Sequence, residues 1–135
     1  MMKSARLMLV ILLRAAGCAM SCAVFFVFCP FAWMSSMSEW LGMGDLSYSP
    51  LASYLVRTLS AMYAIEGALF LFVSLDVERY GPLIRFAGWI AILAGAGVTI
   101  LDGLLGLPIP WTLTEGPLTT GMGVAMVVLA RRARL

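Results

Sequence analysis

Apolar residues run almost unbroken through four stretches, at roughly 7–29, 51–75, 83–106 and 117–133, with polar residues gathered between them. A helix needs about 20 residues, at 1.5 Å rise each, to cross the hydrocarbon core of a bilayer. The first three stretches meet that length. The fourth reaches only about 25 Å as a helix, so it requires local thinning or snorkelling arginines. The pattern predicts an all-α polytopic membrane protein, a four-helix up-down bundle occupying residues 1–135 as one domain.

Prolines mark the boundaries. Pro50, Pro82 and Pro117 each stand at the start of a stretch, where a missing N–H costs a helix nothing. Ser49, Gly81 and Gly116 precede them as expected N-caps. The first two stretches are separated by a loop containing Trp33, Trp40 and Tyr48. Ser36 and Glu39 there have capping-box spacing, and Met37, Trp40 and Leu41 fall on one face. The spacing predicts a short helix over about 36–43 lying on the membrane surface. Residues 76–82 read as a tight turn, and 106–117 as an outer connection whose Glu115-Gly116-Pro117 turn the short fourth span would draw into the outer leaflet.

Composition supports this reading. The chain is 62% hydrophobic and 12% charged, against about 45–50% and 25% in soluble domains. A domain this small cannot bury such an excess within itself, so much of it faces lipid. The net charge of +2 and the lack of a basic stripe give no sign of a nucleic-acid partner. There is no histidine, which removes histidine-ligated cofactors and histidine base catalysis, and no cofactor or metal is expected. Cys18, Cys22 and Cys29 all fall in the first span and read as packing residues rather than as a disulfide framework.

Charge bias predicts orientation. Lys3, Arg6, Arg14, Arg79, Arg85, Arg131, Arg132 and Arg134 gather on one side, while the other two loops carry Glu39, Asp45 and Glu115 and no basic residue. Basic residues favour the cytoplasm, so both termini are expected there, in an inner or plasma membrane. Lys3 and Arg6 before an apolar run also resemble a signal peptide, with Ala15-Ala16-Gly17-Cys18 loosely like a lipoprotein cleavage site. Arg14 interrupts that run, and apolar residues continue past Cys18. A retained helix is the better reading.

Charges within the spans are the candidates for function, since a mid-bilayer charge costs roughly 2.5–3.5 kcal/mol. Depth suggests an inner pair, Arg14 with Glu66, and an outer pair, Arg57 with Asp102. Arg57 and Glu66 are nine residues apart in sequence, about 900° of helix rotation, and so lie on opposite faces of the second span. Gly88, Ala91, Gly95, Thr99, Asp102 and Gly106 form a small-residue stripe on the third. Ser60, Ala64 and Gly67 share a face with Arg57, and Gly17, Cys18, Ser21 and Cys22 share one with Arg14. These sides are expected to face the bundle interior. With Glu115 drawn inward, Tyr54 and Trp111 would wall an outward polar pocket around Arg57, Asp102 and Glu115. The plainer reading is that buried ion pairs fix helix register without chemistry.

Several stretches look familiar together: Phe31-Ala32-Trp33-Met34, Trp40-Leu41-Gly42-Met43-Gly44, Arg57-Thr58-Leu59-Ser60-Ala61-Met62-Tyr63-Ala64, Ser74-Leu75-Asp76-Val77-Glu78-Arg79-Tyr80 and Trp111-Thr112-Leu113-Thr114-Glu115-Gly116-Pro117. They resemble small four-helix membrane proteins of bacteria, of the BphX-like kind. That resemblance implies an architecture and a bacterial inner-membrane address, and no mechanism. Three function classes remain in view. The first is a non-enzymatic binding, accessory or assembly protein with a membrane-protein partner or a second copy. The second is a small transporter or proton-coupled exchanger using Glu66 or Asp102. The third is an enzyme acting on a lipid or quinone, for which no nucleophile motif or metal-ligand cluster speaks.

Overall fold

A computed structural model describes residues 2–135. The chain is all-helical: α1 Met2–Ser21, α2 Val24–Phe28, α3 Phe31–Trp40, α4 Pro50–Val73, α5 Gly81–Leu105 and α6 Ile109–Arg132. Four segments are long and apolar enough to cross a membrane: Met2–Phe28, Pro50–Val73, Gly81–Leu105 and Ile109–Arg132. Packing groups the chain into two compact units, one of residues 1–13 with 72–135 and one of residues 14–71.

The first unit is organised by an antiparallel α5–α6 hairpin. Gly81, Gly88, Gly95 and Asp102 recur every seven residues on the buried side of α5, and Gly116, Gly123 and Ala130 do so on α6. Gly95 meets Gly116 and Gly88 meets Gly123: a Cβ at Gly95 would lie 2.6 Å from the Gly116 carbonyl oxygen, and one at Gly123 2.8 Å from the Ile92 nitrogen. Seven-residue spacing keeps a seam in register along both helices. Glycine there lets the backbones touch, which is how helices gain contact where lipid supplies no hydrophobic drive. The sequence stripe from Gly88 to Asp102 is therefore a true contact face.

The turn between these helices is short. Gly106 adopts φ 67°, Leu107 N donates to Asp102 O at 3.0 Å, and Gly106 N to Gly103 O at 3.3 Å. This paired closure needs a left-handed residue, and glycine takes that conformation without strain. Pro108 then caps α6, with Pro110 in its first turn.

Here the structure corrects the sequence reading. α6 begins at Ile109, not at Pro117, and runs 24 residues, about 36 Å, so the fourth span is not short. Pro117 lies inside it and Gly116 is a seam residue rather than an N-cap. Pro110 holds the first-turn position that favours proline, while an internal proline is tolerated in a spanning helix. The connection expected over 106–117 shrinks to Gly106–Pro108.

In the rest of the first unit Ala5, Leu9 and Leu13 of α1 are buried, as are Val73 and Val77. Arg6 pairs with Glu78, and Asp76 caps the expected turn by accepting from Arg79 N at 3.1 Å. Gly81 is the first residue of α5, preceded by Tyr80 as N-cap.

In the second unit α1 and α4 cross antiparallel at glycines. A Cβ at Gly67 would meet Ser21 N at 2.6 Å and Gly17 O at 2.7 Å, and one at Gly17 would meet Leu71. Ser49 caps α4 as expected, its Oγ accepting from Ala52 N at 3.0 Å. The loop helix differs from its prediction. α3 starts at Phe31 after Pro30, and Ser36 is an interior residue whose Oγ donates to Ala32 O at 3.0 Å. Pro30, with its fixed φ and missing N–H, dictates the start that the Ser36–Glu39 spacing had suggested further on.

Candidate functional site

Arg57 in the second unit makes three side-chain hydrogen bonds. Between α1 and α2 the chain tightens, with Ala23 N bonding to Met20 O and Phe26 N to Ala23 O, each at 3.0 Å. α2 then stops before Pro30, whose missing N–H leaves the Phe26 carbonyl without its helical donor. The buried Cys29 thiol turns back to that carbonyl at 3.8 Å. Arg57 serves two more: Nη1 donates to Val27 O, and Nη2 to Cys29 O at 3.0 Å. Its Nε donates to Ser53 Oγ one turn back, at 3.3 Å. Backbone carbonyls freed within a bilayer need a substitute donor, and a guanidinium offers a planar fork of donors that can serve several acceptors at once.

Asp102 occupies the place in the α5 seam where the heptad calls for the next small residue. It is 3% exposed, as its stripe predicted, and its Oδ2 is buried with no hydrogen-bond partner. Continuing the Gly95–Gly116 register places it level with Ile109, at the start of α6. The same register sets Glu115 level with Ala96, about 9 Å deeper along the hairpin than Asp102. Glu115 is thus a helical residue within the fourth span, not part of a turn, and the span-length argument for drawing it inward falls away. Trp111, in the first turns of α6, is half-buried, while Tyr54 on α4 is exposed.

The other proposed pair is arranged differently from expectation. Arg14 and Glu66 are both exposed rather than turned to the helix contact. Along α1 the buried line runs through Ala5, Leu9, Leu13 and Gly17, and Arg14 stands one residue off it, about 100° around the helix. Cys18 and Cys22 share its exposed side. Along α4 the buried line runs through Ser60, Gly67 and Phe70, with Glu66 displaced in the same way. The crossing, where Gly17 meets Gly67 and Leu71 and Gly67 meets Ser21, separates the levels of Arg14 and Glu66 by about 6–9 Å. Side chains lean toward their own helix N-terminus, and in antiparallel helices that carries these two further apart.

Sequence reasoning did not foresee Arg57's carbonyl acceptors. The signal was Pro30, 27 residues upstream of Arg57, since a proline that ends a helix leaves the last carbonyls before it without helical donors.

Four helices long and apolar enough to cross a membrane define the class: an all-helical, multi-pass membrane protein. No family model matches the chain, and neither a curated protein nor a solved structure matches it.

Proposed function

We propose that this is a non-enzymatic membrane accessory or assembly protein whose exposed α4 face is covered by another protein, either a membrane partner or a second copy. Glu66 carries the reading. It is exposed on a helix of 24 residues, about 10 Å from one end and 24 Å from the other. A carboxylate facing hydrocarbon at that depth is costly, and such groups face protein or a polar cavity instead. The charge bias supports cytoplasmic termini in an inner or plasma membrane, and the resemblance to BphX-like proteins supports a bacterial setting. Photo-crosslinkers at positions 62 and 69, flanking Glu66, test the proposal in native membranes. A discrete protein adduct that Glu66→Leu weakens is expected. Lipid adducts alone, with a monomer in mild detergent, would overturn it.

Asp102 favours a second reading, a proton-coupled exchanger, because a buried carboxylate with an unpartnered oxygen can take up a proton or cation in a transport cycle. Proteoliposomes in which Asp102→Asn leaves a measured proton flux unchanged would eliminate that reading.

A further inference from the structure

The strongest unassigned surface lies on α3. Trp33, Met37 and Trp40 recur at helical spacing and are 58%, 43% and 83% exposed. With Ser36 they line an open groove of about 290 Å³. Trp33 is not a loose side chain. Its ring stacks on Phe25 with centroids 5.9 Å apart and planes at 29°, while more than half of the side chain stays exposed.

The charge carried by this segment is one-sided, and the nearby Arg57 guanidinium is engaged by the Val27 and Cys29 carbonyls. Between Arg14 and Arg57 the chain has no Lys or Arg, and it carries Glu39 and Asp45. Asp45 accepts from Ser35 and Ser47 hydroxyls, whereas Glu39 is exposed on α3, one residue before Trp40 and about 100° around the helix from it. Two tryptophan faces next to a carboxylate attract a cation: an ammonium within about 6 Å of an indole ring is held by its quadrupole. An anionic group is repelled by the same carboxylates. Tryptophans of a membrane protein also concentrate at headgroup level.

We infer that the Trp33–Trp40 face of α3 binds the ammonium headgroup of a zwitterionic phospholipid in the leaflet it meets. The inference rests on reading the long helices as membrane spans, and does not depend on the partner proposed for α4. Trp33 and Trp40 supply the cation-binding faces, Met37 the apolar floor, and Glu39 the counter-charge.

The test uses the full chain in phosphatidylcholine vesicles. A Trp89→Phe/Trp111→Phe variant leaves Trp33 and Trp40 as the only tryptophans. A nitroxide on the choline headgroup is expected to quench their fluorescence at least about twofold more than one at the acyl-chain centre. With the labelled lipid held constant, exchanging the unlabelled phosphatidylcholine for phosphatidylglycerol removes ammonium competitors and should raise the quenching. Glu39→Lys should abolish that rise. Equal quenching in both lipid backgrounds, or stronger quenching from the chain centre, overturns the assignment. A Trp33→Phe/Trp40→Phe variant, reporting through Trp89 and Trp111, separates the causes. If it is quenched by lipid nitroxides while Trp33 and Trp40 are not, the headgroup site is wrong and the spans stand. If neither variant is quenched, the membrane reading fails and the inference falls with it.

Discussion

The guanidinium of Arg57 on α4 donates to the carbonyl of Cys29, 28 residues earlier, at 3.0 Å. It thereby closes the helix end that Pro30 leaves open. The Arg57 side chain stands in for missing backbone donors.

Removing those donors should unsettle the α2–α3 junction. Arg57→Met leaves the Val27 and Cys29 carbonyls without the donors that Arg57 supplies, each loss worth about 1–3 kcal/mol where buried. A lower melting temperature in detergent is expected, with Arg57→Lys recovering only part because an ammonium lacks the fork. An unchanged melting curve for Arg57→Met would mean that water or lipid satisfies these carbonyls.

The glycine seam predicts a sharp positional contrast. Gly95→Ala should destabilise by about 1–3 kcal/mol, since the backbone atoms it meets can yield only if α5 and α6 separate. Gly97→Ala, two residues on, meets nothing within 4 Å and should be neutral or slightly stabilising through helix propensity. Similar losses at both positions would contradict the seam.

The start of α6 is open to labelling. Single cysteines at positions 112, 115 and 119, in a chain with its native cysteines removed, should resist a membrane-impermeant maleimide because they lie within the helix Ile109–Arg132. Position 107, in the turn, should react. Rapid labelling at 112 and 115 would restore the start at Pro117 that the sequence alone suggests.

Asp102 supplies a test of function against stability. Its Oδ2 is buried and has no partner, and removing an unsatisfied buried polar group is often neutral or stabilising. Asp102→Ala should therefore keep or raise the melting temperature. A loss of more than about 1 kcal/mol would reveal a polar partner for the carboxylate.

Much of the fold was legible because spanning a bilayer leaves few options. Every backbone group must be satisfied internally, so long apolar runs become helices, and the second and third spans fall within two residues of their expected ends while the first begins five residues earlier. The fourth was misjudged because Pro108, Pro110 and Pro117 all mark possible starts, and local chemistry does not rank them. The site was less legible. Asp102 was found on its buried face because its stripe is spaced for a seam. Arg14 and Glu66 were placed inward on the same kind of argument, yet their neighbours Gly17 and Gly67 take the contact instead. A turn of about 100° separates a residue in the interface from one facing outward, and small residues flank both positions.

By itself the sequence determined that the chain is helical, that it carries enough apolar length for four crossings, and where most helices begin. These follow from hydrocarbon thickness and from proline, which act locally. Only the tertiary structure decided which charges are sequestered and by what. That outcome depends on helix rotation and register, set by glycines far apart in sequence that allow two backbones to touch. Arg57 serves carbonyls, Asp102 sits in a seam and Glu66 faces outward for the same reason: packing at Gly17–Gly67 and Gly95–Gly116 fixes each helix's rotation, and the charges follow.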